Sequence, residues 1–478
     1  MNRLHASFVA LAIGAMALPG SAATLDEIAN AMGTGKLNNV QYVGSGTHYI
    51  VGQSFRAGGE WPKFPLTKVA RTIDYANSGL TEEYVFVQGE GPLRGGGVQP
   101  VVGESRRILG IVGEQAWQQQ GPATVGAPGQ VANLQHELWI TAQGIVKAAL
   151  ADKAATETGG GTTTFTISRP GRFKATAYTN AQNLVERVES LSPSPVLGDM
   201  QTVTTYSDYK DFGGIKIPTR IIQTVQGNTA LELVLNDVKV NSASVSAPAQ
   251  IAAPAPVPPA TIEKVVDGVY FVAGASHNSV AIEMSDHVIL VESPLGDPRA
   301  IETFDIVRKT IPGKPIRSVI ATHHHFDHSG GLAAAVAERM TIITHEYNKN
   351  YFEAAFTAPR TLQPGRLGNS LVGPRIETVT GDKKVITDSA RNIELHTIKG
   401  LGHVDGMLMA YLPKEKILIV ADAYSARGPV TTQKAANPSP FTVALWDNVQ
   451  RLKLDIDTVL PIHGRVAKMA EVKLEAGY

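Results

Sequence analysis

The sequence predicts an α+β protein with two folded parts, and three observations lead to this prediction. Residues 243–260 are rich in alanine and proline and lack apolar periodicity, which is typical of an extended linker. Before them, residues 24–242 contain closely spaced runs of β-branched and aromatic residues, as in a mainly antiparallel β domain. After them, residues 261–478 alternate strand-like runs with a helix-like stretch, as in a layered domain of strands and helices. The 478 residues suffice for two such domains, each with its own core.

The N-terminal residues have the pattern of a signal peptide. Arg3 precedes the short apolar run Phe8–Leu18, and the small residues Ser21–Ala23 follow where a signal peptidase would cleave. We therefore expect residues 1–23 to be removed and the mature protein to be periplasmic or secreted; the alternative is a buried N-terminal helix. No later stretch reaches the roughly 18 apolar residues of a membrane-spanning helix, so we expect no membrane span.

The part before the linker contains a series of strand-like runs from Thr162 onwards, separated by turn signals such as Gly213-Gly214. One helix is expected near Leu134–Leu150, whose apolar residues share a face. The end of this part, from Tyr209 through Ile217-Pro218 to a last long strand, resembles the curved sheets of bacterial lipoprotein-carrier proteins. This resemblance implies a concave sheet that would bind a hydrophobic ligand.

Composition limits the classes of partner and the kinds of metal ligand. The 43 basic side chains are balanced by 43 acidic ones, whereas nucleic-acid binding requires a basic surface, so we expect no nucleic-acid partner. The chain has no cysteine, which excludes disulfides and leaves histidine, aspartate and glutamate as the metal ligands. A small molecule is the expected substrate.

A histidine-rich motif follows the predicted strand IRSVIAT. His323 and His325 stand two residues apart, and alternate residues of an extended segment face the same side, so both can bind one metal ion. Asp327 and His328 come where the chain turns and can face a neighbouring metal. His324, between two ligands, is expected to point away. In the absence of thiols, imidazole and carboxylate groups are suitable ligands for zinc.

Three further candidate ligands occupy similar positions later in the chain. His403 lies in a glycine-flanked loop, Asp422 ends the apolar strand KILIVAD, and His463 ends the strand TVLPIHG. Each lies where a strand runs out into a loop, which is where a rigid scaffold presents functional groups. The sequence therefore predicts a metal site of five histidines and two aspartates.

These motifs resemble, in order, those of the metallo-β-lactamase superfamily, over roughly residues 262 to 470. The resemblance implies a C-terminal four-layer αββα metallo-β-lactamase sandwich with two metals in the cleft between its sheets. It implies one metal held by His323, His325 and His403, a second held by Asp327, His328 and His463, and Asp422 bridging both.

Two positions depart from the family's usual pattern. Glu292 stands where the family usually has an aspartate that braces the metal ligands, and we expect the longer carboxylate to keep that role. Asp422 stands where the best-known zinc β-lactamases have cysteine. The bridge therefore resembles that of the superfamily's thioester, lactone and phosphoester hydrolases.

The resemblance and the ligand set together predict an exported dinuclear metal-dependent hydrolase that cleaves a small ester, lactone or amide by a metal-bound hydroxide. The cofactors would be two divalent metal ions, with zinc favoured and iron or manganese open at the second position. Asp327 is expected to orient the hydroxide and accept its proton. Tyr424, two residues past Asp422, is a candidate oxyanion donor.

Two alternative functions remain open from the sequence. The first is β-lactamase activity. The second is a hydrophobic-ligand binding protein with a vestigial metallohydrolase domain, which need not hold two metals. One local choice also stays open, because His277-Asn278 would either line the mouth of the cleft or form a turn.

Overall fold

The computed structural model describes residues 23–159, 162–368 and 373–478, which form three β-sheets with helices packed against them. The predicted signal peptide falls almost wholly on residues 1–22, outside the described residues, so the expected localisation stays a prediction. Among the helices that the structure describes, none is both long and apolar enough to cross a bilayer.

The N-terminal part is one thirteen-stranded sheet, antiparallel in every pairing that the structure describes. Its first strand pairs with its last, which joins two meanders side by side. Its elements in chain order are α1 (Leu25–Met32), β1 (Asn39–Tyr49), β2 (Lys63–Asp74), β3 (Gly79–Val87), β4 (Glu104–Val112), β5 (Gln115–Gln120), β6 (Ala123–Gly126), α2 (Val131–Trp139), α3 (Ala142–Asp152), β7 (Thr156–Gly159), β8 (Thr162–Arg169), β9 (Phe173–Thr179), β10 (Val185–Ser194), β11 (Gly198–Asp211), β12 (Lys216–Val225) and β13 (Asn228–Val240).

The helices of this part pack on one face of the sheet, where alternate strand residues form its core. The single helix expected near Leu134–Leu150 is wrong, because the region forms α2 and α3 instead. Thr141 has an extended backbone, so the first helix cannot continue, and its hydroxyl accepts the amide proton of Gly144 at the start of the second. Helix α1 was not predicted, although Thr24 and Glu27 form a capping box that is visible in the sequence.

The Ala/Pro-rich segment 243–260 contains no helix but follows the edge of the N-terminal sheet. Ala252 exchanges backbone hydrogen bonds with β6, accepting from Gly126 and donating to Thr124, each at 2.9 Å. Val245 is buried, and its amide donates to a carboxylate oxygen of Asp74 at 3.0 Å. The segment is extended, as its composition predicts, and hydrogen bonds at Val245 and Ala252 attach it to the N-terminal domain.

The C-terminal part consists of two packed sheets with helices outside them. The seven-stranded sheet and its helices are β14 (Thr261–Val266), β15 (Val269–Ala273), β16 (Ser279–Glu283), β17 (Val288–Val291), α4 (Asp297–Thr310), β18 (Ile316–Ile320), α5 (Phe326–Ser329), α6 (Leu332–Ala337), β19 (Thr341–His345), α7 (Lys349–Thr357) and β20 (Arg375–Val379). The six-stranded sheet and its helices are β21 (Lys383–Thr387), β22 (Asn392–Thr397), β23 (Leu408–Leu412), β24 (Ile417–Ala426), α8 (Pro440–Leu452), β25 (Thr458–Gly464), β26 (Ala467–Lys468) and α9 (Met469–Glu475).

The layers of this part follow from where its apolar residues are buried. Strands β16, β17, β23, β24 and β25 consist almost entirely of buried residues, as expected for strands covered on both faces. One core lies between the two sheets, and a second lies between the seven-stranded sheet and α4, α6 and α7. Helices α8 and α9 pack against the other sheet. The αββα order confirms the predicted fold class.

Candidate metal centre

The histidine motif lies where β18 ends and the short helix α5 begins. His323 and His325 lie in the extended connection between them, while Asp327 and His328 lie within the helix. His403 follows β22, and His463 lies near the end of β25. Asp422 lies within β24, which continues to Ala426, so the prediction that Asp422 ends its strand was wrong. The structure therefore brings together all seven predicted ligands from both sheets of the sandwich, with ligand atoms of each subgroup within 4.8 Å of one another.

Two of the three histidines predicted for the first metal have buried ring nitrogens without hydrogen bonds. His323 Nε2 and His325 Nδ1 have no hydrogen-bond partner among the described residues, whereas His403 Nε2 faces Oδ2 of Asp422 at 2.9 Å. Such buried polar atoms are costly unless something binds them. The Nε2–H group of His325 donates to the carbonyl of Ser54 at 2.9 Å, which leaves the Nδ1 lone pair free. These atoms fit a metal ion.

Burial also keeps the imidazoles of His323 and His325 in the form that binds a metal. It lowers the pKa of His323 and of His325 well below 6.5, and neighbouring histidines lower both pKa values further. Neutral imidazole is the state that coordinates a cation, so these side chains are available as ligands at neutral pH.

The ligands predicted for the second metal include a carboxylate of their own, Asp327, whereas those of the first metal are all histidines apart from the bridging Asp422. His328 Nε2 lies 2.8 Å from Oδ1 of Asp422, and His463 Nε2 lies 2.9 Å from the same oxygen. Burial lowers the pKa of His328, but Asp422 and Glu292 raise it more, so that it lies well above 6.5. The carboxylates therefore favour positive charge at this place, which a bound cation would also supply.

Asp422 lies between the two groups of histidines. One of its oxygens, Oδ2, is 2.9 Å from His403 Nε2, whereas Oδ1 faces His328 and His463. Burial raises the pKa of this carboxyl, but the charges on His328 and His403 lower it more, so it stays ionised. One carboxylate is thus aimed at both groups, as a bridging ligand must be.

Glu292 supports the ligands from behind, as expected from its place after β17. Its Oε1 accepts the amide of Thr322 at 2.7 Å, and its Oε2 accepts Nδ1–H of His328 at 2.9 Å. The second bond leaves Nε2 of His328 facing the site. Glu292 has a φ of 70°, a left-handed conformation that costs about 1–3 kcal/mol in a residue other than glycine. The two hydrogen bonds keep the residue in this conformation.

His277 joins the cluster, although the sequence left its role open. Its Nε2–H donates to Oδ2 of Asp327 at 3.3 Å, and its ring centroid lies 4.2 Å from that of His463. Burial lowers the pKa of His277, while Asp327 opposes this effect. The available signal was the one that identified the other ligands, since His277 also comes shortly after a strand, β15.

Two other residues of the sequence prediction lie outside the cluster. His324 points away, as expected, and its Nε2 lies 3.0 Å from the Ser54 hydroxyl. Tyr424 is buried, and its hydroxyl donates to Glu475 at 3.3 Å. Strand β24 changes register between Val420 and Ser425, so the spacing from Asp422 does not bring Tyr424 to the ligands. Its contacts do not support an oxyanion role.

Residues of the N-terminal domain that the sequence analysis missed also touch the cluster. Gln53 donates from Nε2 to Oδ1 of Asp327 at 2.8 Å. Gly96 packs so closely that a Cβ added there would lie 2.7 Å from Cε1 of His325. No local pattern marks either residue, because more than two hundred residues separate each of them from the ligands that it approaches.

Residues 272–463 match the family model of the metallo-beta-lactamase superfamily, which confirms the resemblance inferred from the motifs. The C-terminal part thus has the metallo-β-lactamase fold. The crystal structure of the FIM-1 metallo-beta-lactamase from Pseudomonas aeruginosa in its mono-zinc form is 19% identical, with a TM-score of 0.35. The match covers 46% of this chain and 93% of that one.

Two curated relatives match parts of the chain. The alpha subunit of a 2,4-dinitroanisole O-demethylase from Nocardioides sp. is 26% identical over 222 residues, which are 46% of this chain and 62% of that subunit. An alkyl/aryl-sulfatase from Saccharomyces cerevisiae is 36% identical over 76 residues, which are 16% of this chain and 12% of the sulfatase. The chain thus spans less than two thirds of either relative.

Proposed function

We propose that the protein is an exported dinuclear hydrolase that cleaves a small ester, lactone or amide, with zinc as the favoured metal. This proposal rests mainly on the position of Asp422. Its two oxygens face two separate groups of histidines, at 2.8–2.9 Å from their ring nitrogens. The ring nitrogens Nε2 of His323 and Nδ1 of His325 add support, since they fit a cation and lack a hydrogen-bond partner among the described residues.

The ligand roles follow from this arrangement. The first metal would be held by His323, His325 and His403, the second by Asp327, His328 and His463, and both by Asp422. When bound, two such ions supply Lewis acidity toward the scissile bond and bring the pKa of a water molecule toward neutrality. Imidazole-rich coordination favours zinc at the first position.

Asp327 is the ligand candidate best placed to orient water and accept its proton. Its side chain is 35% exposed, whereas that of Asp422 is 14% exposed and that of His328 is fully buried. Gln53 and His277 donate to its two oxygens, so the direction of the carboxylate is set from both sides. The carboxylate can therefore face incoming water in a defined orientation.

Export is supported by the sequence of residues 1–23 and by the first helix. Thr24 caps α1 through its capping box with Glu27, so a chain cleaved before Thr24 keeps the start of the fold. N-terminal sequencing of the protein from a periplasmic fraction tests this, with a start near Thr24 expected. A full-length chain in the cytoplasmic fraction would contradict export and leave the chemistry of the site unchanged.

A second candidate is cleavage of an aryl ether or of an alkyl or aryl sulfate. It rests on the names of the two curated relatives, an O-demethylase of 2,4-dinitroanisole and an alkyl/aryl-sulfatase. Both names describe reactions at an oxygen that carries an alkyl or aryl group. The same pair of metal positions would serve either class of bond.

The test is hydrolysis by the zinc-loaded protein of a panel of small substrates. The panel contains simple and acyl-homoserine lactones, aryl esters, a thioester, a chromogenic cephalosporin, an aryl sulfate and 2,4-dinitroanisole. We expect turnover of an ester, lactone or amide that is lost on chelation and restored by zinc. Turnover of the sulfate or the ether alone would favour the second candidate.

Two aspartate variants, one in the metal centre and one on the surface, test whether turnover depends on the metal centre. Asp422→Ala removes the bridge and should abolish turnover, whereas Asp305→Ala removes an exposed aspartate of α4 and should not change it. Zinc content should be close to two ions per chain in the wild-type protein. Content below one ion, together with no turnover on the panel, would overturn the proposed function.

A further inference from the structure

Two loops of the N-terminal domain reach the metal centre of the C-terminal domain. The first lies between β1 and β2, where the carbonyl of Ser54 accepts His325 Nε2–H and that of Phe55 accepts the amide of Asp405 at 2.8 Å. The second lies between β3 and β4, where the amide of Gly95 donates to the carbonyl of Gly402 at 3.0 Å. Both loops are therefore bonded directly to the segments that carry the metal ligands.

Gly96, in the second loop, packs against two ligands of the first metal. A Cβ added at this residue would lie 2.7 Å from Cε1 of His325 and 2.8 Å from Cε1 of His403. It would also lie 2.1 Å from the side-chain oxygen of Gln53. Because real Cβ contacts are longer than this, only glycine lets the loop approach both histidines as they stand. The loop backbone forms one wall of the metal centre.

Gln53 connects the two loops to the second group of ligands. Its Oε1 accepts the amide of Gly97 at 2.9 Å, and its Nε2 donates to Oδ1 of Asp327 at 2.8 Å. The first bond determines the orientation of the amide, because a backbone N–H can only meet the oxygen end. The NH₂ end must then face Asp327. A neutral side chain from one domain thus orients a carboxylate of the other.

Other contacts hold the two domains in this arrangement. Arg360 is buried, and its guanidinium donates to the carbonyls of Pro195 and Val196, in the loop between β10 and β11, at 3.1 and 2.9 Å. Asp199 accepts the amide of Thr361 at 2.9 Å. Because these bonds use buried and backbone groups, separating the domains would leave several polar atoms unpaired.

We propose that the N-terminal domain completes the active site, with Gln53 as the positioning residue for Asp327 and Gly96 as a wall beside the first-metal histidines. This proposal rests on the proposed function and deepens it. The domain is then part of the catalytic unit, and its loops limit how a substrate approaches the metals. A separately folded C-terminal domain would lack Gln53 and the Ser54 carbonyl, and Asp327 and His325 would lose their orientation.

Gln53→Met tests the positioning role, because methionine has a similar length and no amide. We expect kcat to fall ~10–100-fold, the usual effect of removing an outer-shell partner, while KM changes little. Chelator competition should also show weaker retention of one of the two zinc ions. Gln201→Met, on an exposed position of β11, is the matched control and should leave both measurements unchanged.

Gly96→Ala tests whether Gly96 forms a wall beside the first-metal histidines, and the binding of zinc is the readout. The added methyl must displace Gln53 or the two histidines, so we expect weaker zinc retention by chelator competition and a changed absorption spectrum of the cobalt-substituted protein. Gly129→Ala is the control, because a Cβ there meets nothing within 4 Å. Thermal unfolding of the metal-free variants identifies any loss of folding, in which case Gln53→Met alone decides.

The outcomes separate this proposal from the proposed function. If the wild-type protein binds zinc and turns over a substrate, but Gln53→Met behaves like Gln201→Met in kcat and zinc retention, the positioning role is overturned and the proposed function stands. If the wild-type protein neither retains zinc nor turns over the panel, both fail together.

Discussion

The two groups of ligands in the metal centre are supported in different ways. In the first group, the three histidines are buried, His323 and His325 each have a ring nitrogen without a partner among the described residues, and a backbone carbonyl of the N-terminal domain orients His325. In the second group, His328 lies among carboxylates that raise its pKa. The first group thus depends on packing that leaves lone pairs free, and the second depends on charge.

This difference predicts which changes affect which ion. Loss of a carboxylate charge should weaken the second position most, whereas a disturbance of packing should weaken the first. Asp422 is the exception, because its two oxygens serve both groups. Variants of charge, of packing and of the bridge therefore test whether the two groups are as distinct as their contacts indicate.

Asp422→Asn should have the largest effect, because it removes the negative charge between both groups while it keeps the shape of the side chain. We expect activity to fall by more than ~100-fold, since even outer-shell partners of metal ligands contribute 10–100-fold. Zinc retention should weaken for both ions in chelator competition. If only one ion were lost, Asp422 would belong to one group and the description of it as a bridge would be wrong.

Glu292→Gln should have an intermediate effect that is confined to the second group. The amide can accept one of the two hydrogen bonds from Thr322 and His328, but it cannot accept both as the carboxylate does. We expect a loss of ~10–100-fold in affinity for the second zinc ion, by titration of the metal-free protein. Equal weakening of both ions would show that the two groups act as one unit.

The fold followed from sequence patterns that are local. Closely spaced β runs, the Ala/Pro-rich segment and the strand–helix alternation after it were enough to predict the α+β class with its layered C-terminal part. The prediction of a single helix near Leu134–Leu150 was wrong, because the side chain of Thr141 caps the start of a second helix. Helix α1 was not predicted, although its capping box is present in the sequence.

In the candidate site, too, some residues could be predicted from local sequence patterns, whereas others depend on contacts between residues far apart in the chain. The seven ligands were predictable because they stand in motifs close to strand ends, although Asp422 lies within β24 and Asp327 and His328 lie in α5. His277 carried a weaker form of this signal. Gln53 and Gly96 were not predictable, because their role depends on how a loop of one domain docks on the other, and no spacing in a single sequence records that contact.

Tyr424→Phe should have the smallest effect, and it tests whether Tyr424 belongs to the catalytic site. The hydroxyl donates to Glu475 of α9 and, among the described residues, forms no hydrogen bond with any of the seven ligands, so its loss should leave kcat unchanged. The cost should appear in stability instead, at about 0.5–1.5 kcal/mol for one hydrogen bond, measured by denaturant unfolding. A fall in kcat without loss of stability would return Tyr424 to the role of oxyanion donor that its spacing from Asp422 suggested. The catalytic site would then extend further along β24 than the contacts of Tyr424 indicate.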